Sequence, residues 1–181
     1  DSATVTITNN GTEATQVKIS VTGIPATPPK ASSDGFTIDR AYFRPDGTAF
    51  DMGQSPVSQN DRFVVLLTMK ASTTGSGQYL VADPLPAGFE IENPDLSAAG
   101  VSDLSWLPAL DQPSHVESRT DQYIAAFQYG TDQAPFKVAY MVRATAPGTF
   151  VLPGATVEDM YRPELRANSA AGSIEISATG P

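Results

Sequence analysis

Polar and apolar residues alternate at period two along much of the chain, the pattern of strands that bury one face. Ala3-Thr4-Val5-Thr6-Ile7-Thr8 and Val17-Lys18-Ile19-Ser20-Val21 alternate on either side of Asn9-Asn10-Gly11, whose residues tolerate positive φ. That arrangement predicts a β-hairpin. From Pro25 to Gly35 the prolines remove backbone donors and the polar residues offer no core, which predicts an extended connector and a boundary near residue 30. The expected division is therefore residues 1–30, hairpin plus connector, and residues 31–181, the main domain.

Beyond the boundary, strand candidates recur between turn signals. They run Phe36 to Phe43, Arg62 to Ala71, Tyr79 to Asp83, Phe89 to Glu92, His115 to Ser118, Gln122 to Tyr129, Phe136 to Thr145, Phe150 to Val157 and Ser173 to Ala178. Alternation puts Phe136, Val138, Tyr140, Val142 and Ala144 on one buried face, with Lys137 and Arg143 opposite. Phe63 to Met69 is apolar on both faces, so it should be a central strand covered on two sides or lying at an interface. No segment carries a capped helical stripe. With 14 glycines and 15 prolines punctuating short strands, the expected fold is all-β, an antiparallel two-sheet, immunoglobulin-like sandwich with an N-terminal hairpin. A mixed α/β fold is the reserve.

Composition narrows the function. The chain of 181 residues suits one sizeable domain carrying a small appendage. No stretch approaches the roughly 18 consecutive apolar residues of a membrane helix, so a soluble domain without direct membrane insertion is expected. Asp1 to Val5 has neither a charged nor an apolar leader region, which reads as a fragment of a longer chain. The net charge of −9 is spread along the chain and would repel phosphate backbones, so nucleic acid is not an expected partner.

Candidate chemistry is sparse. Cysteine is absent, and the single histidine, His115, sits in an alternating stretch as a surface strand position. One histidine supplies neither a triad with a nucleophile beside it nor a zinc site. Glu90/Glu92 and Glu158-Asp159 are acid pairs on which glycosidase or calcium chemistry is conceivable, and solvated surface is the simpler reading. Trp106 reads as a core or loop anchor, and Tyr42, Tyr123, Tyr129 and Tyr140 read as core. No catalytic residue, metal site or cofactor is expected.

One segment does not look like scaffold. Glu158-Asp159-Met160-Tyr161-Arg162-Pro163-Glu164-Leu165-Arg166 packs Met, Tyr and two Arg into a turn where a linker would be Gly/Ser-rich. Met and Tyr offer contact area, Arg planar multidentate contacts, and Pro163 a restrained backbone, which are interface properties. The competing reading has Tyr161 folding back over its own sandwich edge and Arg162 pairing with Asp159.

The order Ser-Val-Thr-Gly-Ile-Pro (20–25), Leu-Pro-Ala-Gly-Phe-Glu-Ile-Glu-Asn-Pro (85–94), His-Val-Glu (115–117), Tyr-Met-Val-Arg-Ala (140–144), Pro-Gly-Thr-Phe (147–150) and Glu-Asp-Met-Tyr-Arg-Pro-Glu (158–164) resembles the C-terminal end of bacterial α2-macroglobulins. The resemblance implies a non-catalytic module of a large envelope protease trap, located in the periplasm, with many members lipid-anchored. It implies that residues 33–178 are the final macroglobulin domain, and that 3–22 are the last strands of a CUB-like domain. The implied partners are the thioester-type and CUB-like domains of the parent chain, and target proteases through the whole parent.

In thioester members a loop tyrosine of this domain shields the reactive bond from water. The resemblance gives that role to Tyr161, with Met160 packing beside it, Arg162 orienting the loop, Pro163 stiffening it, and Asp159 and Glu164 completing the segment. The reactive Cys and Gln themselves would lie upstream, and members without them would use the loop only for packing. A generic extracellular adhesion or carbohydrate-binding sandwich is the alternative.

Overall fold

The computed structural model describes residues 4–20, 27–72, 76–93, 104–130 and 134–178, the side chains of Asn93 and Tyr129 apart. None of these residues is helical. The strands are β1 (Ser32–Asp34), β2 (Phe36–Phe43), β3 (Ala49–Phe50), β4 (Val57–Ser58), β5 (Arg62–Ala71), β6 (Gly77–Pro84) and β7 (Phe89–Asn93). They continue with β8 (His115–Ser118), β9 (Gln122–Tyr129), β10 (Phe136–Ala144), β11 (Gly148–Leu152), β12 (Thr156–Asp159), β13 (Arg166–Asn168) and β14 (Gly172–Ser177).

These form a six-stranded sheet, β1-β13-β12-β6-β9-β8, facing a five-stranded sheet, β3-β2-β5-β10-β7. A three-stranded sheet, β11-β14-β4, closes the assembly, and only its β14–β4 pair is parallel. The chain passes from the six-stranded to the five-stranded sheet at Gly35, whose φ of 80° takes a residue without Cβ. All-β sandwich architecture is thus what the alternation predicts.

The core lies between the sheets. Phe36, Ile38, Phe63, Val65, Leu67, Val138, Tyr140 and Val142 meet Tyr79, Val81, Tyr123, Ala125, Phe127 and Val157, while Val57, Ile174 and Ile176 fill one side. Burying each of the larger apolar chains contributes roughly 1.5–3 kcal/mol. Strand β5 is central and buried on both faces, as its sequence predicts.

Three expectations are corrected. The outer face of β10 is not simply polar: Ala139 and Met141 are buried with Val64 beneath Leu104, Trp106 and Leu107. The proline-rich loop after β7 therefore acts as a lid on this sheet, and the indole rests against the Gly47 turn, where a Cβ would lie 2.7 Å from the ring.

The stretch Phe150 to Val157 is two strands in different sheets, because Pro153 lacks a donor and a Cβ on Gly154 would run into the Ser169 carbonyl oxygen. Finally, residues 4–20 carry no strand. Asn9 alone organises the expected hairpin turn, its Oδ1 accepting from Gly11 N–H at 2.9 Å and its Nδ2 donating to the Glu13 carbonyl at 2.8 Å. Val5, Ile7, Val17 and Ile19 are exposed, and a two-stranded ribbon with no third strand or core to cover it is marginal in water.

A polar knot crosses the core. Arg40 on β2 donates to Asp83 on β6 at 2.5 Å and to the Pro153 carbonyl at 2.7 Å, and Tyr140 on β10 donates to the other Asp83 oxygen at 2.7 Å. Tyr123 stacks on Tyr140 with ring centroids 4.3 Å apart. Burial pushes the Asp83 carboxyl up, opposed by the Arg40 charge and the Tyr140 hydroxyl. Burial opposes the Arg40 charge too, but neighbouring Asp83 raises its pKa. Burial also keeps the Tyr140 phenol protonated well above its ordinary range, so it remains a donor.

Asp83→Ala strands the Arg40 charge in the core and should cost about 3–5 kcal/mol in urea unfolding. Replacing both partners, Arg40→Met with Asp83→Asn, should lose markedly less. Gly47→Ala should cost roughly 1–3 kcal/mol, because the turn needs φ of 89° and the added Cβ meets the indole. Trp106 is the only tryptophan, so a red shift of its fluorescence would report the displaced loop.

Candidate docking loop

Strand β12 alternates outward and inward, so Glu158 faces solvent and Asp159 turns into the protein at 1% exposure. The Glu158-Asp159 acid pair is thereby split across the sheet. An aspartate at the end of a strand can accept from donors two and three residues on, which forms an Asx-type turn. Asp159 Oδ1 accepts from the Tyr161 N–H at 2.9 Å and the Arg162 N–H at 3.0 Å. Its Oδ2 accepts from Arg162 Nε at 2.9 Å and from the terminal guanidinium nitrogen at 2.6 Å. One carboxylate thus takes four hydrogen bonds.

The backbone closes the same turn. Asp159 N–H donates to the Leu165 carbonyl at 3.0 Å, Leu165 N–H to the Arg162 carbonyl at 2.8 Å, and Met160 N–H to the Gln78 carbonyl of β6 at 2.9 Å. Leu165 anchors the far side by packing on the core. Gly77, where β6 begins, permits the close approach: a Cβ there would lie 2.8 Å from the Tyr79 hydroxyl and 3.0 Å from Asp159 Oδ2. Pro163 and Glu164 occupy the exposed second half of the turn.

The side chains at the tip are left largely in solvent. Tyr161 is 76% exposed and Met160 51% exposed. Half of the fold-back reading therefore holds: Arg162 pairs locally with Asp159, while Tyr161 borders an open cleft at the β6–β9 rim and stays largely exposed. The loop brings Asp159 and Arg162 together beneath and leaves Met160 and Tyr161 outward. Sequence reasoning assigned orientation to Arg162; the principal organiser is Asp159, and the signal was an aspartate ending a strand three residues before an arginine.

Burial raises the Asp159 carboxyl, but the Tyr161 N–H, the Arg162 side chain and the Arg162 N–H outweigh it and hold the pKa below the usual aspartate value. The turn is thus stabilised above about pH 4, and loses that contribution as pH falls through the lowered value.

The other chemical candidates stay dispersed. His115 is an exposed strand residue. Glu90 and Glu92 are both exposed on β7, and Glu92 accepts from Arg62 Nε at 2.6 Å. Tyr42, Tyr123 and Tyr140 join the core, and Tyr129 lies outside the described side chains. Among the described residues, no three His, Asp or Glu groups converge as a cation site.

Among the described residues the chain is a helix-free β-sandwich that holds one exposed tyrosine on a turn at its rim. The model of the bacterial alpha-2-macroglobulin MG10 domain matches residues 35–164, and the chain belongs to that family. It is 31% identical over 182 residues to alpha-2-macroglobulin of Escherichia coli K12, covering 96% of this chain and 11% of that protein. The chain thus spans about a tenth of this curated relative.

Among solved structures it resembles native E. coli alpha-2-macroglobulin from domain MG7 to the C-terminus, with TM-score 0.74 and 30% identity over 86% of this chain and 25% of that one. It also resembles Salmonella alpha-2-macroglobulin reacted with methylamine, with TM-score 0.69 and 28% identity over 86% of this chain and 10% of that one.

Asp159→Asn should preserve the turn near neutral pH with looser Arg162 pairing, and should abolish its acid sensitivity. Amide hydrogen exchange at Tyr161 and Arg162, corrected for intrinsic rates, should accelerate as pH falls below about 4 in the unsubstituted chain but not in this variant. Equal acid sensitivity in both would show that another group governs the loop.

Proposed function

We propose that this chain is a non-catalytic docking domain of a bacterial protease trap of the α2-macroglobulin type. It packs against the thioester-type domain of its own parent chain through residues 159–166. Tyr161 covers the reactive bond there, and Met160 extends the contact. Residues 3–22 belong to the preceding CUB-like domain, and the parent works in the periplasm. The observation that carries the reading is the combination at one tip: a large, exposed aromatic side chain on a turn held by four hydrogen bonds to a buried carboxylate.

Chemistry supports this assignment. An aromatic ring buries a large area with few rotatable bonds, and its hydroxyl needs only one partner. A turn ordered before contact has little conformational entropy left to lose on docking. The Salmonella relative is one that reacts with methylamine. Amines attack electrophilic acyl groups; at a thioester the new C–N bond forms, the C–S bond breaks and a thiol is released. A ring seated over such a bond would keep both water and amines away.

In the full-length parent protein, Tyr161→Ala should raise the rate of methylamine-dependent thiol release by about tenfold, equivalent to ~1.4 kcal/mol of lost protection. Tyr161→Phe should remain close to the parent, since ring area rather than the hydroxyl excludes solvent. An unchanged rate in Tyr161→Ala would remove the shielding role.

A further inference from the structure

The buried carboxylate of Asp159 has a neighbour from outside its own turn. In the antiparallel register of β12 on β6, Asp159 stands directly opposite Tyr79, and both side chains turn inward, at 1% and 3% exposure. Side chains so opposed lie within reach of each other. The Tyr79 ring is held from the other sheet by Phe36 of β2, edge to face with centroids 4.7 Å apart. Its hydroxyl lies at the foot of the loop: a Cβ on Gly77 would stand 2.8 Å from that oxygen and 3.0 Å from Asp159 Oδ2.

Arg162 completes this foot. Its guanidinium holds Asp159 Oδ2 through two nitrogens and faces the Tyr79 hydroxyl as well, so that both its charge and its donors act on that oxygen. Burial and the Asp159 charge push the phenol pKa up against the pull of Arg162, which leaves the hydroxyl neutral. The Arg162 side chain is 42% exposed. A half-exposed ion pair on its own orients a long side chain only weakly, because solvent screens it and both chains lose entropy. A hydroxyl whose ring is clamped between two sheets gives the guanidinium a second, immobile contact. The loop is thus seated on a core side chain of β6 as well as on its own turn.

We infer that Tyr79 and Gly77 are positioning residues for the Tyr161 shield: the buried phenol seats Arg162 against Asp159, and the missing side chain at residue 77 leaves room for the three groups to meet. The turn fixed in this way sets where the Tyr161 ring stands. This rests on the shielding role assigned to Tyr161 and adds two residues of the sandwich to it. Neither of them touches the reactive bond.

In the full-length parent protein, Tyr79→Phe keeps the packed ring and removes only the hydroxyl. Methylamine-dependent thiol release should quicken by about two- to fivefold. Gly77→Ala, whose methyl group drives the hydroxyl and the carboxylate apart, should quicken it as well. Tyr140→Phe is the control: it removes another buried hydroxyl, the one bonded to Asp83, and should leave release unchanged. Added to Tyr161→Ala, Tyr79→Phe should have no further effect, because no ring remains to be placed. If Tyr161→Ala speeds release while Tyr79→Phe or Gly77→Ala does not, the inference falls and the role of the ring stands. Equal acceleration by Tyr79→Phe and Tyr140→Phe would also overturn it, since a loosened sandwich would then explain both. Fully multiplicative effects of Tyr79→Phe and Tyr161→Ala would do the same. If Tyr161→Ala itself changes nothing, both readings fall together.

Discussion

Strand β5 is apolar on both faces, and water must be kept from each of them. Phe63, Val65, Leu67 and Met69 are covered by the opposing sheet, while Val64 and Leu66 need a second cover on the outside. The Trp106 loop provides it, seated where the Gly47 turn leaves room for an indole. The two outer faces of the sandwich are consequently unequal. One is closed by the chain's own loop, whereas the other carries Glu158, Leu80, Ala126 and His115 in one row across β12, β6, β9 and β8. The exposed Met160 and Tyr161 stand at the rim of that second face.

Two aspartates at different depths do comparable work. Asp83 ties β2, β6 and β10 together in the core, its partner Arg40 reaches on to the Pro153 carbonyl, and its value depends on every partner being present. Asp159 ties a surface turn to the end of β12 with donors that are mostly local. Removing the first threatens the whole sandwich, because a guanidinium is left in the core. Removing the second loosens a single turn.

Much of the fold is legible in the alternation itself. The bounds of β2, β5, β8 and β9 follow from apolar period and turn residues alone, because each is long or sharply bounded. The short strands β1, β3, β4 and β13 escape notice, since two or three residues carry no period and depend on neighbours distant in sequence. The break at Pro153-Gly154 was visible as two residues unfit for a central strand, yet the apolar run around it suggested continuity. The N-terminal alternation misled for a different reason: pattern shows which face wants cover, but not whether this stretch of chain supplies it. Arg40 and Asp83 carried a readable signal, each occupying the inward phase of its strand after Phe36-Ile38 and Tyr79-Val81. Of the loop, the residue types pointed to contact, while the split between the buried organiser and the exposed tip depends on how β12 ends against β6.

The turn at Asp159 is held by two main-chain N–H groups and Arg162, and none of its bonds uses the side chain of Met160 or Tyr161. Frame and face are therefore chemically independent. Residues 160 and 161 are free to vary in kind without altering where the tip stands. Related domains could thus exchange the group they present, a ring, an aliphatic chain or an amide, while inheriting the same pedestal. Such a division lets recognition diverge at a site whose geometry stays constant.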